Sequence, residues 1–183
     1  MNYRNLSKEI SCALRHTPWE YELELDEYGW VSLDQLIAAL RLNIEWQNLK
    51  SEDILKMIDS SEKKRHEVVE NKIRALYGHS VPEKIVKQET QPPDLLFHGT
   101  ARKSWKSIKM NGLLPCNRQY VHLSLDIKTA IKTGKRKDET PLILKINARK
   151  AWHNGFLFYH GGDNIWLTEI VDPIFIEKYS LLQ

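Results

Sequence analysis

Only two cysteines, Cys12 and Cys116, occur in 183 residues, and they form no CxxC pair. A disulfide scaffold and a cysteine-rich zinc site are thereby excluded. Long apolar runs are missing too. The longest, Leu36-Ile37-Ala38-Ala39-Leu40, covers five residues, against the ~20 that a membrane-crossing helix needs. The opening MNYRNLSKEI lacks the hydrophobic core of a signal peptide. No GxGxxG, GxxxxGK, HExxH or GxSxG occurs, which removes the familiar nucleotide-loop, zinc-protease and serine-hydrolase signatures. No carboxylate pair presents itself for glycosidase work, and the seven histidines lack metal-ligand spacing. There is no internal repeat and no low-complexity tract. These absences predict a soluble, cytoplasmic protein with no metal.

Apolar residues make up 42% and charged residues 28%, a globular composition with room for one domain or two small lobes. The net charge of +3 is too small to establish a nucleic-acid partner by itself. Its distribution is more informative. Residues 1–90 carry 13 basic and 16 acidic side chains, whereas residues 91–183 carry 14 and 8. The front acidity gathers at Glu20, Glu22, Glu24, Asp26 and Glu27. Basic runs stand at Lys63-Lys64-Arg65-His66 and at Lys132–Lys137.

The front half reads as three helices and a hairpin. Leu6, Ile10, Ala13 and Leu14 recur at helical spacing until Pro18 ends the helix at about His16. Ser32 and Gln35 have capping-box spacing ahead of Leu36, Ile37 and Leu40. Ser51 is expected to cap a third helix with Ile54, Leu55 and Ile58 inward. His66–Glu70 and Lys72–Tyr77 flank Asn71 as hairpin strands. Three small helices with a two-stranded wing is a winged-helix pattern, from which fold alone gives no function. The polar, three-proline stretch 81–94 reads as a linker. Behind it, six short strands are expected at Leu95–His98, Tyr120–Leu123, Leu142–Ile146, Phe156–Tyr159, Ile165–Ile170 and Ile174–Glu177. One helix, at Lys103–Asn111, stops at Gly112, and another begins near Asp126. The class is α+β.

Basic and histidine side chains are the candidates for chemistry. Arg15 and His16 end a helix whose dipole favours positive charge, which is also how an ordinary C-terminal cap looks. Arg65 lies at a helix-to-strand junction. Gly78-His79-Ser80 reads as a plain turn. His98-Gly99-Thr100 closes a strand, with a glycine that allows a ligand to approach the backbone closely and flanking groups that supply hydrogen bonds. Arg118 precedes a strand on which Tyr120, His122 and Ser124 share one face. If that strand pairs near the first, the two histidines border one cleft. An arginine-rich set without an obvious carboxylate base suits holding phosphate, because guanidinium matches phosphate oxygens in a bidentate fork.

The ordered segments LRHTP (14–18), LDEYGWVSLDQL (25–36), KKRHE (63–67), IRALYGHS (73–80), LFHGTA (96–101), IKMNGL (108–113), RQYVHLS (118–124) and NIWLT (164–168) resemble the RNA 2′-phosphotransferase family of KptA type across almost the whole chain. The resemblance implies a winged-helix RNA lobe at 1–88 and an ADP-ribosyltransferase-like NAD lobe at 94–183. It implies a monomer that uses NAD as co-substrate, and no metal, to remove an internal 2′-phosphate from RNA of the tRNA splice-junction type. The 2′-phosphate attacks the nicotinamide ribose and expels nicotinamide. A ribose hydroxyl of the RNA-2′-phospho-ADP-ribose then attacks phosphorus, releasing 2′-hydroxyl RNA and ADP-ribose 1″,2″-cyclic phosphate. The family's Arg-His-Arg-Arg set falls on Arg15, His16, Arg65 and Arg118, with His16 as proton-transfer group. NAD contacts fall on His98, Gly99, Thr100, Ser107, Gly112, His122 and Ser124. Glu169 aligns away from the catalytic glutamate of protein-modifying relatives. Tyr77 stands where the family usually has glutamine. The acidic front half implies RNA binding at a local basic site, with a shallow salt slope. Two rival readings use the same residues: an ADP-ribosyltransferase modifying nucleic-acid ends or protein, and a non-catalytic RNA-binding module.

Overall fold

The computed structural model describes residues 1–179, so the end of the expected 94–183 lobe lies outside the described residues. The chain divides into two compact units, Met1–Val86 and a second from Lys87 onward, each with its own core. Among the described residues no helix is long and apolar enough to cross a membrane.

The first unit is built on helices α1 (Tyr3–Arg15), α2 (Leu33–Arg41) and α3 (Ser51–Asp59). The side chain of Asn2 caps α1 by accepting from the backbone N–H groups of Arg4 and Asn5. Leu6, Ile10, Ala13 and Leu14 are wholly buried, and such burial stabilises by roughly 1.5–3 kcal/mol for each large side chain. Ser32 caps α2 as expected, accepting from Gln35 N–H. The start of α3 differs from expectation. Lys50 is its N-cap, and Asp53 reaches back to the Lys50 N–H at 3.0 Å, leaving Ser51 as the first helical residue. The inward residues are Ile54 and Met57; Leu55 is exposed, and Ile58 packs at the core's edge. A sheet of β1 (Trp30–Ser32), β2 (His66–Val69) and β3 (Lys72–Ala75) has the order β1-β3-β2 and is antiparallel throughout. The hairpin was legible; β1, only three residues long, was not.

In the second unit, β4 (Leu95–Thr100), β5 (Val121–Ser124), β6 (Leu142–Asn147), β7 (Phe158–His160), β8 (Ile165–Thr168) and β9 (Ile176–Lys178) form one antiparallel sheet of order β7-β8-β5-β4-β6-β9. Helix α4 (Trp105–Asn111) is shorter than expected, because Arg102–Ser104 winds as a 3-10 turn. Helix α5 (Ile127–Gly134) starts at Asp126, whose carboxylate accepts from Thr129 N–H at 2.7 Å. Helix α6 (Ala148–His153) was not foreseen. The expected linker is divided between the units. Val81 and Ile85 are buried and Val86 N–H donates to the Glu27 carbonyl, while Glu89 bridges Tyr159 on β7. The apolar side chains hidden among its prolines and charges explain why it is held.

Candidate active site

In the first unit the end of α1 meets the mouth of the β2–β3 hairpin. Arg15 belongs to the last turn of α1 and is only 9% exposed, while His16 is the exposed C-cap. Three neighbours fix the Arg15 guanidinium. Its Nη2 donates to the Arg65 carbonyl at 3.1 Å. Its Cζ lies 5.0 Å from the centroid of the Tyr77 ring, in cation–π range. Gly78, at φ 90°, presents backbone where a side chain would reach to 3.4 Å of Nη1. The Arg65 carbonyl also accepts from Leu76 N–H, so the hairpin's closing bond and the Arg15 clamp share one atom.

The turn after β3 completes the arrangement. Ser80 N–H donates to the Arg15 carbonyl at 2.9 Å, satisfying an acceptor at the end of α1. The Ser80 hydroxyl shares a 2.8 Å hydrogen bond with His16 Nδ1. Gly78-His79-Ser80 is therefore the support of Arg15 and His16, not a plain turn. Its partners lie 64 residues apart in the chain, which no spacing rule reveals. One step further along β2, buried His66 bonds Ser11 on α1 at 3.0 Å through Nε2. Burial, reinforced by the charges of Arg15 and Arg65, pushes its pKa down to about 3, so the imidazole is neutral. The Arg65 backbone and His16 thus lie beside Arg15 in this unit, while the Arg65 guanidinium donates to the Lys63 carbonyl at 3.3 Å.

The second unit gathers another set at a seam in its sheet. Strand β4 pairs with β6 along its whole length, but with β5 only at Phe97↔Ser124. Beyond that pair the two strands part. There the His98 side chain takes the place of the ladder: its Nδ1–H donates to the His122 carbonyl at 2.9 Å. This bond fixes the tautomer and leaves Nε2 as the acceptor of a neutral ring. Burial first, then the charges of Lys137 and Arg118, hold the His98 pKa below its ordinary value, against the opposing effect of the His122 carbonyl. His122 Nδ1 donates in turn to the Tyr120 carbonyl. Burial and the nearby Glu169 carboxylate push the Tyr120 hydroxyl up to about 12. Arg118 lies exposed in the turn ahead of β5.

The remaining candidates have more structural surroundings. A methyl group on Gly99 would overlap the Ala130 carbonyl oxygen, so the absent side chain lets α5 lie against β4. Gly112, at φ 76°, is the C-cap of α4, and a Cβ there would overlap the Val171 carbonyl. Ser107 faces solvent on α4 and accepts from Asn111 Nδ2 at 3.4 Å. Thr100 and Ser124 are buried in the sheet.

Two rims of cationic and imidazole groups, one per unit, suit recognition of phosphorylated ligands. Comparison with known proteins agrees. The family model described as RNA 2′-phosphotransferase, Tpt1/KptA family, matches residues 2–170. A probable RNA 2′-phosphotransferase of Bacillus thuringiensis is 58% identical, the match covering 95% of this chain and 94% of that protein. Another so described, from Acetivibrio thermocellus, is 49% identical over 96% and 97%. A third, from Pyrococcus horikoshii, is 38% identical over 91% and 93%. The chain belongs to the RNA 2′-phosphotransferase, Tpt1/KptA family.

Proposed function

We propose that this protein is an NAD-dependent phosphotransferase that removes an internal 2′-phosphate from RNA of the tRNA splice-junction type. In this reading the first unit is a winged-helix RNA lobe, its wing the β2–β3 hairpin, and the second is an ADP-ribosyltransferase-like NAD lobe. The observation that carries it is the clamped Arg15, a largely buried guanidinium held by a ring face, a carbonyl and a glycine, with His16 and Arg65 beside it. Such preorganisation favours a group whose charge grows during reaction.

Arg15 and Arg65 grip the 2′-phosphate and spread its charge as pentacoordinate phosphorus forms. The phosphate oxygen bonds to the anomeric carbon of the nicotinamide ribose while the carbon–nitrogen bond breaks and nicotinamide departs with the bonding pair. In the second step a ribose hydroxyl attacks phosphorus and the RNA 2′-oxygen leaves. His16, oriented by Ser80, exchanges the proton that this leaving oxygen needs. In the seam, the neutral His98 offers Nε2 to a ribose hydroxyl, and Arg118 meets a phosphate of NAD or the reacting phosphate. Thr100, His122 and Ser124 contribute to the nicotinamide side, Ser107 and Gly112 to the adenosine side. NAD is consumed as a co-substrate, and the chemistry calls for no metal.

The test is incubation with a short RNA bearing one internal 2′-phosphate, with and without NAD, and products resolved by mass. NAD-dependent appearance of 2′-hydroxyl RNA and ADP-ribose cyclic phosphate is the expected result. A stable ADP-ribosylated RNA would favour the transferase reading instead.

A further inference from the structure

Helix α5 divides its residues sharply. Ala130 and Gly134 are buried, with the Ala130 backbone seated against Gly99 of β4. The face left to solvent carries Lys128, Lys132 and Lys135 at positions i, i+4 and i+7, followed by Arg136 and Lys137, all exposed. Residues 127–137 contain five basic side chains and no acidic one. A merely solvated helix face would carry mixed signs, with Glu-to-Lys pairs one turn apart.

The next acidic residue, Asp138, is already engaged. Its carboxylate accepts from Arg102 N–H at 3.0 Å, from Nε at 3.1 Å and from Nη2 at 3.2 Å. Those bonds hold its pKa down to about 2, and they bring the Arg102–Ser104 turn, with the exposed Lys103, to the end of α5; the exposed Lys106 follows in the first turn of α4. The surface also reaches toward the seam, because Lys137 and Arg118 are both near enough to act on His98. Membrane-surface helices set an apolar face beside their cations, whereas no large hydrophobic residue of α5 is exposed.

We propose that the exposed face of α5, Lys128–Lys132–Lys135 with Arg136 and the adjoining Lys103 and Lys106, docks the sugar–phosphate backbone of RNA flanking the 2′-phosphate. This rests on the reading of the chain as an enzyme acting on RNA and adds where the rest of that RNA is held. Charge complementarity and continuity with the seam select this occupant. Three or four such contacts give a modest salt slope, as expected from a local basic site rather than a broad electrostatic funnel.

The test compares the full-length wild type with K128Q/K132Q/K135Q, using two probes with one internal 2′-phosphate each: a trinucleotide and an RNA of about twenty nucleotides. Affinities are read by fluorescence anisotropy across a salt series, and thermal melting verifies folding. The wild type should bind the longer RNA at least ~10-fold more tightly than the trinucleotide. The variant should lose that margin, with its log–log salt slope shallower by roughly 0.7 for each lost contact. Trinucleotide affinity and turnover should not change. An unchanged margin, an equal loss on both probes, or no wild-type margin would overturn the proposal. So would a polyglutamate peptide competing as well as RNA, which would indicate an acidic protein partner. If the margin behaves as expected while neither probe is turned over, the docking surface stands and the enzymatic reading falls.

Discussion

Both units bury an imidazole beside two cations, yet they hold it by different means. His66 lies next to Arg15 and Arg65 and is bonded by the Ser11 hydroxyl, side chain to side chain. His98 lies near Lys137 and Arg118 and donates to the backbone carbonyl of His122. The contrast extends outward. Around Arg15 the position of the charge depends on the Tyr77 ring, the Arg65 carbonyl and the bare backbone of Gly78, while the Ser80 hydroxyl holds the neighbouring His16. Around His98 it depends on where two strands part and on how closely α5 lies over Gly99. The first arrangement is therefore adjustable one side chain at a time; the second is tied to backbone placement and fails as a whole.

The sharpest break of this comparison is Gly99→Ala set against Gly78→Ala. A Cβ at Gly99 meets the backbone of α5, which cannot withdraw, so the second unit should lose more than ~3 kcal/mol, read as loss of its thermal transition. At Gly78 the neighbour is the end of a flexible side chain, and the main cost is the positive φ of 90°, about 1 kcal/mol. That variant should stay folded and turn over at nearly the wild-type rate, because a Cβ 3.4 Å from Arg15 Nη1 makes ordinary contact and leaves the guanidinium in place. A folded Gly99→Ala protein would remove the distinction between the units.

Next comes Arg65→Ala. Losing one preorganised cation at the phosphate should lower kcat by about 10²–10³-fold, or ~3 kcal/mol. Thermal melting should show a much smaller change, since the Arg65 atom that anchors Arg15 is its carbonyl, which the substitution keeps. Wild-type turnover in this variant would remove Arg65 from the site.

Acidification probes His66. Its folded pKa of about 3 lies below the unfolded value of 6.5, so between these limits the unfolded chain binds the extra proton. Stability contributed by the neutral ring is complete above pH 6.5. It is lost as pH falls toward 3, by up to about 1.4 kcal/mol per pH unit. His66→Phe should flatten the decline in the first unit's melting temperature by one proton's worth. An unaltered slope would show that the ring is not held neutral.

The smallest effect separates Tyr77→Phe from Tyr77→Leu. Phenylalanine keeps the ring face under Arg15, while leucine removes a contact worth about 0.5–2 kcal/mol. KM for the 2′-phosphorylated RNA should rise several-fold with leucine only. Equal behaviour of the two would mean that the ring serves packing alone.

Legibility in the sequence followed the range of the interactions. Signals within one turn or one strand were readable: Pro18 behind α1, the Ser32 cap, the Asp126 start of α5 and most strands of the large sheet. At α3 the local rule misled, because Asp53 reaches back to the Lys50 N–H, which sets the helix start one residue ahead of the expected Ser51 cap. The candidate cations were legible as residue types, whereas what holds them was not. Ser80 meets His16, and Arg65 meets Arg15, only through the tertiary fold. Gly99 shows the limit most clearly. A glycine ending a strand suggests close approach of a ligand to the backbone, whereas the group that lies against Gly99 is the backbone of α5.

The division of labour between the units is tested most directly by calorimetric titration of NAD into the wild type, Arg65→Ala and His98→Ala. Binding to the wild type and Arg65→Ala with the same affinity, and at least ~10-fold weaker binding to His98→Ala, is what the account predicts for removal of a buried hydrogen-bonding group. No binding to the wild type, or equal losses in both variants, would contradict it.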